Sequence, residues 1–203
     1  MSAPDFSFEL SAFAQGHAII CGIDEAGRGP WAGPVVASAV ILTQKNFPQG
    51  LNDSKKLTHE KREALYNPIM GNADVGIGIV SALEIDEINI LQATYLAMKR
   101  AMHNLQSQPS LALVDGNRAP PLICKVQTII KGDALCLSIA AASIIAKVTR
   151  DRIMIDLEKH YPGYGFATHK GYGTVKHAAA LARLGPCMEH RKSFKPIAAL
   201  LAN

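Results

Sequence analysis

Residues 19–33 read I-I-C-G-I-D-E-A-G-R-G-P-W-A-G. The apolar run from Ile19 to Ile23 predicts a buried strand. It stops at two adjacent carboxylates, Asp24 and Glu25. Gly27, Arg28, Gly29 and Pro30 follow, and they neither continue a regular strand nor open an ordinary helix. Two acids therefore stand at the end of a buried element, beside a glycine loop carrying one fixed positive charge. Neighbouring carboxylates repel, and burial sharpens the repulsion. A chain that keeps them there calls for a cation, and hard Mg2+ or Mn2+ suits carboxylate oxygens. An Asp-Glu pair in a solvated turn is the plainer account of the dipeptide alone, so the surrounding chain has to decide.

The same arrangement recurs twice. Leu111 to Val114 reads as a short buried strand and ends in Asp115-Gly116-Asn117; Val126 to Ile130 reads as another and leads into Lys131-Gly132-Asp133. Three strand ends thus carry four acids: Asp24, Glu25, Asp115 and Asp133. If the strands lie in one sheet, acids far apart in sequence converge. Four of them suit two divalent ions about 3.5–4 Å apart, the arrangement that clamps both oxygens in phosphoryl transfer. Adjacent strand residues point to opposite faces. Asp24 and Glu25 therefore share a site only if the strand breaks between them and the loop, which the glycines allow.

The remaining pattern is mixed α/β. Ala18–Asp24 and Val35–Leu42 are expected as antiparallel neighbours. Thr58 caps a short helix ending near Met70. Val75–Val80 is a strand whose two glycines leave one face flat. Ser81 and Glu84 form a capping box before a helix with its apolar stripe at Ile88, Leu91, Tyr95, Met98, Met102 and Leu105. A helix over about 134–159 has an Ala/Ser-rich middle that lets it lie close to a sheet. Tyr161–Gly173 is an aromatic, glycine-rich basic loop, Val175–Leu184 a short helix. Residues 1–17 are weakly helical and carry no assigned function. The reading is one domain over 1–203, with about 160–203 a loop and helical segment completing the substrate site.

The chain has 203 residues, and its net charge of +4 is unevenly spread. Residues 1–120 hold nine basic and twelve acidic side chains, whereas residues 121–203 hold twelve and five. A basic C-terminal part beside an acidic cluster fits a polyanion approached through metal ions, and equally a solvated basic surface. Four cysteines without a C-x-x-C pair read as thiols in a reducing compartment. No signal peptide is read at the N-terminus. The run Ala134–Ala146 is too short to span a bilayer. The expectation is a cytoplasmic, monomeric protein with no membrane partner.

G-I-D-E-A-G-R-G-P, V-D-G, K-G-D followed by S-I-A-A-A-S-I-I-A-K-V-T-R-D, then H-K-G-Y-G-T and H-R-K-S-F, resemble the ribonuclease HII family, in order from about Ile19 to Pro196. The resemblance implies an α/β, RNase H-like fold: a mixed five-stranded sheet flanked by helices, with a helical C-terminal segment. It implies metal-dependent cleavage of RNA in RNA–DNA hybrids and of duplex DNA containing a single ribonucleotide, with 5′-phosphate and 3′-hydroxyl products. It makes Asp24, Glu25, Asp115 and Asp133 the catalytic ligands of Mg2+ or Mn2+. Gly27, Arg28 and Gly29 would read the 2′-hydroxyl, and Tyr172 would pack on the deoxyribose that follows. A 2′-hydroxyl both donates and accepts and is what separates RNA from DNA.

Lys147, Arg150 and Lys170 are further candidates for substrate contacts; for Lys147 and Arg150 a solvated helix face is the alternative. Lys55 and Lys56 read as loop charges or phosphate contacts. His190, Arg191 and Lys192 read as phosphate contacts or plain surface. His169 is placed on the substrate side by its proximity to Tyr172. Another structure-specific nuclease of the same fold, or a non-catalytic hybrid binder, are the competing readings. Dependence on Gly27–Gly29 and Tyr172 would argue against the first, and the four acids argue against the second.

Overall fold

The structure, a computed structural model, describes residues 3–202. Its centre is a five-stranded sheet. β1 (Ile20–Ala26) pairs antiparallel with β2 (Val35–Ile41), and β2 pairs antiparallel with β3 (Asp74–Val80). On the other side β1 runs parallel to β4 (Leu111–Asp115), and β4 runs parallel to β5 (Lys125–Ile129), giving the order β3-β2-β1-β4-β5. The mixed sheet expected from the sequence is therefore present, with β2 running opposite to the other four strands.

Helices cover both faces. α1 (Ser7–Ala14) and α2 (His59–Asn72) flank the layers. α3 (Ala82–His103) packs on the face carrying Cys21, Ile23, Ala37, Ala39, Ala112 and Val114. α4 (Leu137–His160) covers the opposite face, where Val40, Ile20, Leu111 and Leu113 point. The C-terminal part holds α5 (Phe166–His169), α6 (Val175–Leu184) and α7 (Lys195–Leu201).

Small residues set the spacing of these layers. A Cβ at Gly22 would collide with the backbone of Ser138, so the start of α4 lies directly on β1. On the other face a Cβ at Gly78 would strike the carbonyl oxygen of Ala97, and α3 presents Ala93, Ala97 and Ala101 there. The buried side of α3 is thus small residues plus Met98 and Met102, while Ile88, Leu91 and Tyr95 are only half-buried. Of the expected stripe, Met98 and Met102 are buried and Ile88 and Leu105 pack against the same core, and Asn89, at φ 66°, kinks the helix. The Asn89 side chain accepts from the N–H groups of Leu91 (3.0 Å) and Gln92 (3.2 Å), restarting the helix as an internal cap.

Two boundaries differ from expectation in ways that matter for the site. β1 continues to Ala26, with Asp24 opposite Ser38 and Glu25 opposite Ala37 across the β1–β2 ladder. α4 begins at Leu137, not near Ala134, after a separate 3-10 turn over Gly132–Ala134. The α4 N-terminus has no cap of its own. Glu9 of α1 supplies one: its Oε1 accepts from Ser138 N–H (2.8 Å) and faces Cys136 Sγ (3.1 Å). A buried carboxylate there also meets the positive end of the helix dipole. Helix α1 thus acquires a structural role that the sequence pattern did not suggest.

Replacing Gly22 by Ala is expected to destabilise the fold by about 1–3 kcal/mol, the usual range for overpacking a tight contact. Urea unfolding checks this; a variant as stable as the parent would mean that α4 moves off β1 freely.

Candidate active site

The register of the parallel pair builds the centre of the site. Ile23 lies beside Val114, so the next residues, Asp24 and Asp115, emerge side by side on the α4 face. After β5 the chain turns through Lys131, which adopts a left-handed conformation at φ 58°. Gly132 N–H then donates to Asp115 Oδ1 at 2.7 Å. That turn brings Asp133 to the other two acids, and one carboxylate oxygen from each of Asp24, Asp115 and Asp133 lies within 4.8 Å of the others.

Asp24 and Asp133 are buried, with 6% and 5% of their surface exposed. Burial raises the Asp24 carboxyl well above the ordinary range, and the charges of Glu25 and Asp115 add to it. Burial and the Asp115 charge push Asp133 up to about 6. The charge of Asp53 pushes the same way; its loop position gave no strand-end signal in the sequence. The nearest cation is Lys55, whose Nζ is 3.7 Å from Asp133 Oδ2 on a largely exposed side chain. An exposed ion pair of that kind contributes little. Crowded carboxylate oxygens with so little compensation are a donor set that fits hard divalent cations.

Glu25 lines the same cleft as Asp24, and its charge adds to the crowding there. β1 stays regular through Ala26, so Glu25 leaves the strand on the other side from Asp24. Its Oε1 accepts from Arg28 Nη1 at 3.2 Å, and it lines a groove with Leu91, Thr94, Tyr95, Asp115 and Asn117. Burial still raises its carboxyl, with Arg28 opposing. Asp24, Asp115 and Asp133 thus converge, and Glu25 lines the cleft beside them.

The loop after β1 is held by two buried arginines. Arg150 donates to the carbonyl oxygens of Pro34 (2.9 Å), Lys170 (3.0 Å) and Ala32 (3.1 Å). Arg191 donates to those of Gly27 (2.6 Å), Gly33 (2.8 Å) and Arg28 (3.1 Å). Gly27, at φ 98°, has no room for a Cβ because the Arg150 guanidinium occupies the space. Burial lowers both arginines, Arg150 to about 10 and Arg191 to about 9. The reading of Arg150 as a phosphate contact or solvated helix face is thus corrected: it is 1% exposed and spends its donors on the loop backbone. His190 and Arg191 are likewise buried, not surface or phosphate contacts. Sequence reasoning gave these residues no internal role, because arginine in a basic segment normally signals solvent.

The cleft beside the acids is lined by Gly27, Arg28, Gly29, Lys55, Lys147 and Tyr172. Lys147 pairs with Asp151 at 2.7 Å. Lys170 lies just outside, its ammonium donating to the Ala167 carbonyl. Tyr172 is 46% exposed, and its Cε1 lies 3.8 Å from where a Cβ of Gly29 would be. The glycine loop and the tyrosine thus face the same space beside the carboxylates. Among the described residues no helix is long and apolar enough to cross a membrane.

Comparison with known proteins agrees with this geometry. The family profile described as Ribonuclease HII matches residues 21–197. Ribonuclease HII of Parvibaculum lavamentivorans is 56% identical over 200 residues, covering 98% of this chain and 74% of the relative. Ribonuclease HII of Geotalea uraniireducens is 58% identical over 191 residues, covering 94% and 88%. Among solved structures, ribonuclease H2 from Pyrococcus horikoshii superposes with a TM-score of 0.74 at 29% identity, covering 90% of this chain and 96% of that one.

The crowded carboxyls give a pH signature. Asp24 and Asp133 have folded-state pKa values above their ordinary ones. Their contribution to stability is therefore present at low pH and lost as pH rises through about 6 and beyond. The buried histidines His177 and His190 act in the opposite sense: both are lowered, His190 to about 4, so their contribution is lost as pH falls below the ordinary histidine range. The difference in melting temperature with and without Mg2+ isolates the acids. That increment is expected to grow from pH 5 to pH 8, because metal and proton compete for the same oxygens. A scanning calorimetry series showing a constant increment would mean that these carboxyls do not receive the ion.

Proposed function

The chain belongs to the ribonuclease HII family, type 2 ribonucleases H that hydrolyse the RNA strand of RNA–DNA hybrids with divalent metal, and from that premise we propose that Asp24, Glu25, Asp115 and Asp133 hold the Mg2+ or Mn2+ ions of the reaction. The observation that carries this reading is the convergence of three carboxylates within 4.8 Å, beside a cleft that holds both the Gly27–Gly29 loop and Tyr172. Held by these carboxylates, divalent metal would supply activation of the attacking water and charge neutralisation at the departing 3′-oxygen. No side chain serves as a nucleophile.

The residues of this chain then have distinct tasks. The peptide groups of Gly27, Arg28 and Gly29 approach the sugar closely because no Cβ intervenes at either glycine, and they test for the 2′-hydroxyl. Arg150 and Arg191 hold that loop rigid from below. Tyr172 packs against the next sugar, where a deoxyribose leaves its face free. Lys55 and Lys147 neutralise phosphate near the acids, with Lys170 supporting the same side from the α5 turn. The reading extends to a single ribonucleotide in duplex DNA, cut on its 5′ side to leave 5′-phosphate and 3′-hydroxyl ends. Residues 1–203 act as one domain in which the segment from about 160 completes the substrate site. The protein works as a cytoplasmic monomer.

A DNA duplex with one ribonucleotide, set against an all-DNA duplex with and without Mg2+ or Mn2+, tests the whole reading. Metal-dependent nicking confined to the first substrate is expected; cleavage of both would replace it with a general nuclease. Asp24→Asn and Asp133→Asn are each expected to lower turnover by at least about a thousandfold, the loss of several kcal/mol of charge stabilisation, while gel-shift binding of the hybrid persists. Near-parental turnover in either would remove that residue from the ligand set. Tyr172→Ala should impair single-ribonucleotide cleavage more than cleavage of a uniform hybrid, and equal loss on both would contradict its junction role.

A further inference from the structure

Behind Tyr172 lies a buried pair of histidines that the reaction itself does not use. His177 and His190 are both fully buried, and their Nε2 atoms lie 3.0 Å apart. Each pair member is anchored at its other nitrogen. The N–H of Cys187 donates to His190 Nδ1 at 2.9 Å, so that nitrogen carries no proton. A neutral His190 therefore bears its proton on Nε2 and donates to His177. At the far end, His177 Nδ1 lies 2.9 Å from the carbonyl oxygen of Tyr172. A carbonyl only accepts, so His177 bears its proton on Nδ1 and leaves Nε2 bare to accept from His190. The two ends are chemically independent, and both demand the same arrangement. The result is one directed chain: Cys187 N–H to His190, His190 to His177, His177 to the Tyr172 carbonyl.

The rings are wedged into that arrangement. His177 stacks on His169 with centroids 4.4 Å apart, and Phe166 meets its edge at 5.7 Å. Tyr164 lies 5.0 Å from His190. His169 repeats the logic for the same turn: it accepts from Gly171 N–H at 3.2 Å and faces the Tyr164 carbonyl at 2.8 Å. Protonating either member of the pair would set two N–H groups against each other. The charged form is accordingly disfavoured at both, chiefly by burial.

We infer that His177 and His190 are positioning residues whose directed hydrogen-bond chain fixes the backbone of Tyr172, and that they thereby set how strongly the enzyme prefers a ribonucleotide followed by deoxyribose. The inference rests on the reading of Tyr172 given above and deepens it. An imidazole pair suits this task because each ring is rigid and offers one donor and one acceptor at fixed separation. A single amide cannot span the distance with both polarities in place.

Two measurements test it. Long-range proton–nitrogen correlation spectra of the 15N-labelled parental protein at pH 7 should show His177 as the Nδ1–H form and His190 as the Nε2–H form. The opposite form at His177, or an imidazolium at either, would overturn the relay without any variant having to fold. The second readout is the ratio of cleavage rates on a one-ribonucleotide duplex and on a uniform RNA–DNA hybrid. His177→Phe keeps the ring and its stacking but removes both polar nitrogens; it should lower that ratio about tenfold, the equivalent of one hydrogen bond. His177→Asn, which restores a donor near the Nδ1 position, should recover part of the loss. In a Tyr172→Ala background His177→Phe should change the ratio no further, whereas an additive effect would mean that the histidines act elsewhere. If Tyr172→Ala lowers the ratio and His177→Phe does not, the relay falls alone. If neither lowers it, the reading of Tyr172 falls.

Discussion

Like-charge crowding is the constraint from which the rest of this structure follows. Three carboxyls are held within one small volume at the C-terminal ends of two parallel strands, and nothing in the protein neutralises them fully. Their repulsion has to be resisted by structure. The register of β1 against β4 fixes Asp24 beside Asp115, and the 3-10 turn after β5 fixes Asp133 through the peptide N–H of Gly132. Both strands are buried on both faces, by α3 and by α4. The acids cannot drift apart without unpairing the centre of the sheet. An ion binding there would relieve a strain that the fold already carries, which is why ligand binding and stability are coupled at this site.

A second electrostatic device works with the opposite sign. Arg150 and Arg191 are buried with no carboxylate touching their guanidinium groups; six carbonyl dipoles take that place. A guanidinium is the cation best suited to this, since its planar fork serves several acceptors at once and its charge is diffuse. The arrangement joins pieces distant in sequence: the loop after β1, helix α4, the turn after α5 and the segment after α6. The glycine loop is therefore anchored from beneath by buried donors, although it lies at the surface of the cleft. A lysine at either position would supply a point charge without the fork.

The fold and the site differ in how much of them the sequence discloses. Strand ends at Asp115 and Asp133, the capping box at Ser81, the flat face of Gly76 and Gly78, and the close packing of α4 are all local patterns, and each is present in the structure. The kink in α3 has no such signal, because a single asparagine at positive φ leaves no periodic trace. The expected break of β1 after the acids is absent, because pairing with β2 carries the strand on to Ala26, a boundary that composition does not set. Asp53 and the internal roles of Arg150, His190 and Arg191 were invisible for a different reason. Their partners are backbone groups and loops brought together only by the tertiary fold.

Glu9 illustrates a consequence of such distant pairing for how the chain is made. Its partners, Cys136 and Ser138, lie 127 and 129 residues downstream. During synthesis the first helix emerges with a carboxylate whose partner does not yet exist, and it waits for about two thirds of the protein to follow. Contacts of that span are slow to close and leave apolar surface uncovered meanwhile. The N-terminal helix therefore cannot complete its native docking until the start of the central helix has been made, so the two ends of the fold close together.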